Sequence, residues 1–333
     1  MRCTSPIYKL NSLGEREGNK MPSFLRKRKF LGHSDFKLYT EKFALNPNYY
    51  TRINCGQCLS CRILYAKQWA ERCYLESLYH ESNFFVTLTY EDKFIPLSKN
   101  GYFTLRKEHF QKFMKDLRNH LDYKVRFFAV GEYGDSTYRP HYHTLLFGLK
   151  LDDLVFYKQV KKRGQFIQYF NSEFLTNIWK RGFVVVNRLV PETCSYCARY
   201  SLKKVGFKES VSQVERATAS TKDIFNGLIS SGEIEPIFSL MSRKPGIARQ
   251  YYEDNKFKIY INDNIPDSKL RSFRYFDKLF KVDAPEFMDD VKSYRLSTLD
   301  VFNDANFSGY DEEDFYNVVE LNQKAQKFAR DLC

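Results

Sequence analysis

No run of about 18 apolar residues occurs in the sequence, and the first 20 residues lack the short apolar core of a secretory signal. We therefore expect a soluble, cytosolic protein with no membrane partner. Eight cysteines are few for 333 residues, and that number does not fit a secreted domain held together by disulfides. Reduced thiols or a metal site are the expected use of these cysteines.

The charge is unevenly distributed along the chain. The formal net charge is +13, but residues 283–333 hold 12 acidic and 5 basic side chains, so residues 1–282 carry +20. With 30 Phe and 24 Tyr, this basic part fits a nucleic-acid partner, because Lys and Arg attract phosphates and aromatic rings stack on unpaired bases. Basic surfaces also bind anionic membranes or serve solubility alone, so charge by itself does not fix the partner.

The middle of the chain alternates helical periodicity with β-branched and aromatic runs of strand length. The predicted elements are a helix over about 59–80, a strand at 84–90, a helix over about 105–121 capped by Thr104, strands at 125–133, 141–148 and 183–188, and a helix that starts near Pro191 and carries Cys194 to Lys204. The short connection 134–140 predicts that the strands on either side of it are antiparallel neighbours. This pattern predicts an α+β protein with a central antiparallel sheet and flanking helices.

Three parts of the chain are predicted from these patterns. Residues 1–50 are basic and rich in turn-forming residues rather than periodic, so we expect residues 1–58 to form a basic N-terminal arm or outer layer. Residues 59–250 are the predicted core. Residues 251–333 are the predicted C-terminal extension, and they include the acidic tail.

A histidine pair provides half of a candidate metal site. His141 and His143 lie two residues apart in a predicted strand, so both imidazoles project from one face, with Tyr142 on the other. Glu132, near the end of the preceding strand, can complete a set of two histidines and one carboxylate that leaves coordination positions open; Asp135 is the alternative third ligand. A His-x-His pair is more often structural than catalytic, so the pair alone does not establish a metal site.

A tyrosine pair follows on the next predicted helix. Tyr196 and Tyr200 are four residues apart, so both phenols lie on one helix face, and Lys203 one turn later adds positive charge. A divalent ion beside them would polarise a phosphate as a hydroxyl attacks it. Two tyrosines at this spacing more often belong to a core or a surface, in a chain this rich in tyrosine.

The clustered cysteines predict a possible zinc site. Cys55, Cys58 and Cys61 could bind zinc if a fourth ligand came from elsewhere in the chain. The candidates for that ligand are Cys73, Cys194 and Cys197. The spacing lacks the usual paired-knuckle form, so free thiols are the alternative.

Four basic residues are the predicted DNA contacts. Arg243 and Lys244 lie in a Pro- and Gly-containing loop suited to a phosphate backbone, although an exposed charged turn would have the same composition. Arg199 and Lys204 lie on the tyrosine helix and near its end.

Four segments resemble the motifs of HUH replication initiators: FFVTLTY (84–90), GEYG (131–134), RPHYHTLLFG (139–148) and YCARYSLK (196–203). The sequence is most similar to the replication proteins of small single-stranded DNA bacteriophages of the gokushovirus type, in the Microviridae. The segments CGQCLSCR (55–62) and SRKPGI (242–247) are part of this resemblance, which covers roughly residues 55–250.

The resemblance implies a fold, a reaction and partners. It implies a ferredoxin-like palm, with His141, His143 and Glu132 as ligands of Mg²⁺ or Mn²⁺, Tyr196 and Tyr200 as nucleophiles, and Lys203 beside them. It implies that a tyrosine nicks origin DNA, single-stranded or within a duplex, and leaves a 5′-phosphotyrosyl link and a free 3′-hydroxyl for rolling-circle replication. The expected partners are origin DNA and the host helicase and polymerase, in the cytoplasm of an infected bacterium.

Two alternatives stay open at this point. A plasmid initiator, a relaxase or a single-strand transposase would share the histidine pair and the tyrosine. A non-catalytic nucleic-acid-binding protein would have the basic surface but would keep its function without Tyr196 and Tyr200.

Overall fold

Residues 7–304 are described by a computed structural model, apart from 18–19, 22–24, 26–27, 44, 47–48, 57, 135–136, 163–164, 204–220, 267 and 269. The described chain divides into two units, one up to Tyr65 and one from Ala66 onward. Across these residues, no helix combines the length and the apolar character that a bilayer crossing needs. The predicted part boundaries at residues 58 and 250 stay predictions.

The first unit contains a small antiparallel sheet. Its strands are β1 (Ile7–Leu10), β2 (Phe30–Gly32) and β3 (Tyr50–Ile53) in the order β2-β1-β3, and its helices are α1 (Ser12–Arg16) and α2 (His33–Phe43). The rings of Tyr8 and Phe36 stack 3.6 Å apart in its core. The prediction of turns without regular elements over residues 1–50 was wrong, because strands of three or four residues are too short to show an alternation.

The second unit is built on a larger sheet with helices around it. Its elements are β4 (Asn83–Thr89), α4 (Lys107–Asn119), β5 (Arg126–Tyr133), β6 (Pro140–Phe147), β7 (Leu154–Lys162), β8 (Gln165–Ser172), α5 (Glu173–Trp179), β9 (Val184–Arg188), α6 (Pro191–Lys203), α7 (Thr221–Ser230), β10 (Phe238–Met241), α8 (Arg249–Ile261), α9 (Arg274–Asp283) and α10 (Pro285–Asp304). Helix α3 (Leu59–Ser77) precedes them and contains the division at residue 65.

The seven strands of the second unit pair antiparallel in the order β10-β5-β6-β4-β9-β8-β7. The predicted α+β class, with a central antiparallel sheet and flanking helices, is confirmed. The predicted order of strand, helix, strand and strand is β4, α4, β5 and β6. The expected pairing of the last two strands is also confirmed, and it places Glu132 directly opposite His141.

Alternating residues of the central strands pack against different helices. On one face, Val86, Tyr142 and Leu146 belong to a core that includes Phe110 of α4 and Trp179 of α5. On the other face, the buried cluster joins the central strands to α3 and α6; its members include Phe85, Phe128, Leu145, Phe147, Cys73, Cys194 and Cys197. Since successive strand residues point to opposite faces, one strand can serve two cores.

The predicted N-cap of α4 is wrong. The helix begins at Lys107, and its cap position is Arg106, which makes no side-chain capping bond. The hydroxyl of Thr104 instead accepts a hydrogen bond from the backbone N–H of Glu235 at 2.9 Å. A tertiary contact has therefore taken the threonine that a local pattern assigns to the helix end.

A separate core covers the last three described helices. It contains Leu75 of α3 together with apolar residues of α8, α9 and α10, including Tyr252, Phe276 and Met288. Tyr260 stacks on Phe280 with ring centres 3.8 Å apart. Residues 311–333, which hold most of the expected acidic tail, lie outside the described residues.

Candidate active site

Strand β6 presents two imidazoles on one face and a buried phenol on the other. His141 and His143 project to the side where α6 packs, and their ring centres lie 4.9 Å apart. Tyr142 points the other way and is fully buried. Its hydroxyl donates to the carbonyl oxygen of Arg106 at 2.8 Å and lies 2.7 Å from the hydroxyl of Tyr90. This anchor on the far face fixes the strand that carries both histidines.

Glu132 completes the group. Its Oε1 lies 2.9 Å from Nε2 of His141 and 2.9 Å from Nε2 of His143. The glutamate is 2% exposed, so β5 holds this carboxylate inside the protein. The three ligand atoms lie within 4.8 Å of one another, close enough to bind one metal ion. The three residues predicted as ligands are therefore brought together.

The carboxylate of Glu132 remains ionised at neutral pH. Burial acts to raise its pKa, but the hydrogen bonds from His141 and His143 and the positive charge of these rings outweigh burial, so the pKa lies below its usual value. An ionised carboxylate is the form that binds a divalent cation.

Each imidazole is oriented through its second nitrogen. Nδ1 of His141 lies 3.1 Å from the carbonyl oxygen of Arg139. Because a carbonyl only accepts, this Nδ1 carries a proton and Nε2 is the nitrogen available as a ligand. Nδ1 of His143 lies 3.0 Å from Oγ1 of Thr87 on the neighbouring strand β4. Both Nε2 atoms are thus directed toward Glu132.

The first tyrosine of α6 reaches this group. The hydroxyl of Tyr196 lies 3.3 Å from Nε2 of His143, and the two rings meet edge to face with centres 4.9 Å apart. Phe85 stacks on His143 and meets Tyr196 edge to face, so one apolar side chain positions both rings. The helix forms where Pro191 and Glu192 occupy its first turn, as suits a proline and an acidic residue there.

The remaining predicted residues of the tyrosine helix are only partly described. Tyr200 and Lys203 lie in α6, one and about two turns after Tyr196, while Lys204 and Asp135 lie outside the described residues. The guanidinium of Arg199 lies 5.3 Å from the centre of the Tyr196 ring, so a cation is positioned beside the phenol. The catalytic, metal and DNA-contact roles of these residues stay predictions.

The basic loop is tied down at its backbone. Ser242 exchanges hydrogen bonds with the main chain of Phe127 at 2.9 and 3.1 Å. The guanidinium of Arg126 donates to the carbonyl oxygens of Pro245 and Gly246 at 3.0 and 3.1 Å. Arg243 and Lys244 between these anchors are exposed. A fixed loop with exposed basic side chains is compatible with a phosphate contact.

The cysteine cluster lies in the first unit. The thiol sulfurs of Cys55, Cys58 and Cys61 lie within 4.8 Å of one another, and Cys55 Sγ is 4.0 Å from Cys61 Sγ. The backbone N–H of Cys58 donates to Cys55 Sγ at 3.2 Å, across a turn in which Gly56 has φ +73°. Cys73, Cys194 and Cys197, suggested as sources of a fourth ligand, are buried in the core of the second unit, and burial raises the pKa of each thiol.

Sequence reasoning missed Thr87 and Phe85 as parts of the site. The available signal was Thr87 itself, a polar residue between Val86 and Leu88, which are both fully buried. The register explains its role, since Thr87 is the residue of β4 directly opposite His143.

Comparisons with known proteins agree with this site. The family model of the ORF2-type replication-associated protein matches residues 83–205, which include the histidine pair, Glu132 and both tyrosines. The chain is 29% identical over 280 residues to Replication-associated protein ORF2 of Spiroplasma virus 4, covering 78% of this chain and 80% of the relative. It is 33% identical over 159 residues to Replication-associated protein VP4 of Bdellovibrio phage phiMH2K, covering 45% of this chain and 48% of that protein.

A third relative is Replication-associated protein ORF4 of Chlamydia phage 1, which is 33% identical over 179 residues, 50% of this chain and 43% of the relative. No solved structure matches the chain. The similarity to phage proteins with these names confirms the resemblance to phage replication initiators drawn from the motifs.

Proposed function

We propose that this relative of phage replication-associated proteins initiates rolling-circle replication by nicking origin DNA through a tyrosine and later rejoining the strand. The observation that carries the proposal is the position of the Tyr196 hydroxyl, 3.3 Å from Nε2 of His143 and beside the group that Glu132 completes. A nucleophile and a metal-ligand set on one face of one sheet are the two parts that phosphoryl transfer needs.

The donor set fits Mn²⁺ or Mg²⁺. Two imidazole nitrogens and one ionised carboxylate come from adjacent strands and leave other coordination positions open. Nitrogen ligands favour Mn²⁺, while oxygen ligands and waters favour Mg²⁺. Bound there, the ion would polarise a phosphodiester and neutralise charge that develops on it.

The reaction exchanges one phosphate ester for another. The Tyr196 oxygen bonds to phosphorus, and the bond from phosphorus to the 3′ oxygen breaks. The departing 3′ oxygen gains a proton while the phenol loses its own, so the products are a 5′-phosphotyrosyl link and a 3′-hydroxyl. Because an ester replaces an ester, no nucleotide cofactor is needed. The host polymerase extends the 3′-hydroxyl, with a host helicase opening the duplex, in the cytoplasm of the infected bacterium.

A second tyrosine allows the strand to be closed. Tyr200 lies one helical turn after Tyr196 on α6 and so follows the same helix face. Its hydroxyl attacks the origin junction regenerated by synthesis, which frees the first tyrosine and closes the released circle. Lys203, one turn later, supplies positive charge near the phosphate. Arg199, Lys204, Arg243 and Lys244 contact the DNA backbone in this proposal.

The decisive experiment follows the covalent link. Labelled single-stranded origin DNA is incubated with the protein and Mn²⁺, and a denaturing gel separates free DNA from a protein–DNA adduct. We expect an EDTA-sensitive adduct that Tyr196→Phe or Tyr200→Phe reduces and the double variant abolishes. Tyr157→Phe, which changes an exposed phenol outside the site, is the matched control.

The experiment also separates the rival class. A non-catalytic nucleic-acid-binding protein would bind the same DNA tightly yet give no adduct with any origin fragment. Its binding would not change in the double tyrosine variant.

We further propose that Cys55, Cys58 and Cys61 bind zinc. The N–H of Cys58 donates to Cys55 Sγ, which stabilises the negative charge of a zinc-bound thiolate, and Cys61 lies in the first turn of α3, where the helix dipole does the same. A fourth position would be filled by water or by a ligand from outside the described residues.

Metal analysis tests this zinc site without reference to nicking. Protein purified under reducing conditions should contain about one zinc ion per chain, and Cys58→Ser should lose it. Cys73→Ala, which removes a thiol from the core of the second unit, should keep it. A zinc-free protein with a Cys55–Cys61 disulfide would contradict the proposal.

A further inference from the structure

Strands β7 and β8 form a ribbon that extends beyond the rest of the sheet. The two strands pair with each other from Leu154 with Ser172 to Lys162 with Gln165. β8 pairs with β9 at Phe170 with Val186, and Asn187 donates one further bond to the Gln168 carbonyl. Toward the tip, the recorded pairing is between the two strands of the ribbon alone.

The ribbon exposes large apolar side chains on both faces. Val155, Phe156 and Tyr157 are consecutive residues of β7, and they are 65%, 56% and 53% exposed. Phe166 on β8 is 64% exposed. Since neighbouring strand residues point to opposite faces, three exposed residues in a row mean that neither face of β7 is covered by the described chain. Exposed aromatic residues grouped in this way mark a binding surface.

The charge of the ribbon has one sign. Residues 154–172 contain four basic side chains and no acidic one. The ammonium group of Lys158 lies 5.4 Å from the ring centre of Tyr157 and 5.3 Å from that of Tyr169, and the ammonium group of Lys161 lies 5.7 Å from that of Phe166. Each cation therefore lies beside an aromatic ring. Stacking rings with adjacent positive charge are the two components of a single-strand binding surface.

We infer that the β7–β8 ribbon binds single-stranded DNA next to the nicking site. The inference rests on the proposed function, because it places the ribbon on the strand that the tyrosine cuts. β8 is three strands from β6 in the sheet, so its base lies about 14 Å from the histidine strand, at ordinary strand spacing. Unpaired bases stack on Phe156, Tyr157 and Phe166, while Lys158 and Lys161 contact phosphates.

The same surface has two other conceivable occupants. An edge strand such as β7 can pair with a second copy of the chain, although lysines on an edge oppose such pairing. A two-stranded ribbon can also enter the major groove of a duplex. The exposed phenylalanines favour unpaired bases, since an apolar ring stacks on any base and makes no hydrogen bond to a base edge.

Binding of a labelled oligo-dT strand to the full chain tests the inference, because stacking is tolerant of sequence. Phe166→Ala should weaken this binding roughly fivefold to a hundredfold. Phe257→Ala is the matched control, since Phe257 on α8 is 63% exposed, and it should bind as the unaltered protein does. Lys158→Ala and Lys161→Ala should each reduce the salt dependence of binding, by about 0.7 in the slope of log affinity against log salt.

Several outcomes would overturn the inference. Oligo-dT binding by Phe166→Ala equal to that of the unaltered protein would do so. A loss confined to a duplex of mixed sequence would assign the ribbon to duplex DNA. A change from dimer to monomer with unchanged oligo-dT affinity would assign it to a second copy.

The adduct assay keeps this test separate from the nicking proposal. If the unaltered protein forms no adduct but Phe166→Ala still weakens oligo-dT binding, the ribbon assignment holds and the nicking proposal fails. If the adduct forms and Phe166→Ala binds normally, only the ribbon assignment fails.

Discussion

Thr87 Oγ1 lies 3.0 Å from Nδ1 of His143, across the pairing of β4 with β6. When Nε2 of a histidine binds a metal, a partner on Nδ1 fixes the orientation and the tautomer of the ring. Thr87 is in turn held by the sheet register, so the arrangement does not depend on a mobile loop.

Replacing Thr87 with valine should therefore weaken metal binding. Thr87→Val keeps the shape of the side chain but removes its oxygen, and we expect Mn²⁺ affinity to fall about 10-fold to 100-fold. Calorimetric titration of the DNA-free protein with Mn²⁺ measures this. Thr176→Val is the control, because Thr176 bonds to a backbone carbonyl at the start of α5. Equal Mn²⁺ affinity in both variants would show that Thr87 does not position the ligand.

Tyr142→Phe should destabilise the fold and leave the metal site intact. Burial, as the largest cause, raises the pKa of Tyr142 to about 12, so the hydroxyl stays protonated and donates to the Arg106 carbonyl at neutral pH. Without it, that buried carbonyl loses a donor, and the free energy of unfolding should fall by about 1 to 3 kcal/mol in urea titrations. Tyr102→Phe, at an exposed position, should have no effect.

A drop in Mn²⁺ affinity of Tyr142→Phe as large as that of Thr87→Val would contradict this view. It would mean that the two faces of β6 are not independent.

Glu76→Gln should lower stability in a pH-dependent way. Glu76 is buried, and its carboxylate contacts Arg126, His80 at 3.1 Å and the backbone N–H of Ala248 at 2.6 Å. Burial raises its pKa, but these bonds outweigh burial, so the pKa lies below the ordinary value of 4.5. A depressed pKa gives stability that is present above the unfolded-state pKa and is lost as pH falls through the folded-state pKa.

We therefore expect Glu76→Gln to be less stable by about 3 kcal/mol at neutral pH, since it leaves a half-buried Arg126 without its counter-charge. The difference should shrink below about pH 4, as the carboxylate of the unaltered protein becomes protonated. Thermal unfolding from pH 7 to pH 3 measures this, with the surface variant Glu81→Gln as control. A difference that stays constant across this range would rule out the ionic contribution.

The central sheet could be predicted because its pattern is local. His141, Tyr142 and His143 differ in face by strand alternation, and the short connection after Tyr133 leaves an antiparallel pairing as the simple choice. The same alternation predicted the ligand trio. The position of Tyr196 required α6 to cross the correct face of the sheet, and the spacing of residues along the chain does not determine that.

The ribbon and the last helices were missed for different reasons. In β7, Val155, Phe156 and Tyr157 are all exposed, so there is no alternation of apolar and polar residues to detect. Helices α8 to α10 bury aromatic residues against one another and against Leu75, more than 170 positions earlier in the chain than Ala248. Contacts between residues so far apart in sequence leave no local signal.

The two-sided use of β6 restricts how this strand can change in length. A one-residue insertion or deletion before His141 would turn both imidazoles toward the Trp179 core and push Tyr142 into the site. Single-residue length changes within β6 are thus excluded, whereas the β7–β8 ribbon can lengthen or shorten by paired residues without moving any ligand. Relatives of this chain should therefore differ in length at the ribbon and keep the spacing of the histidine strand.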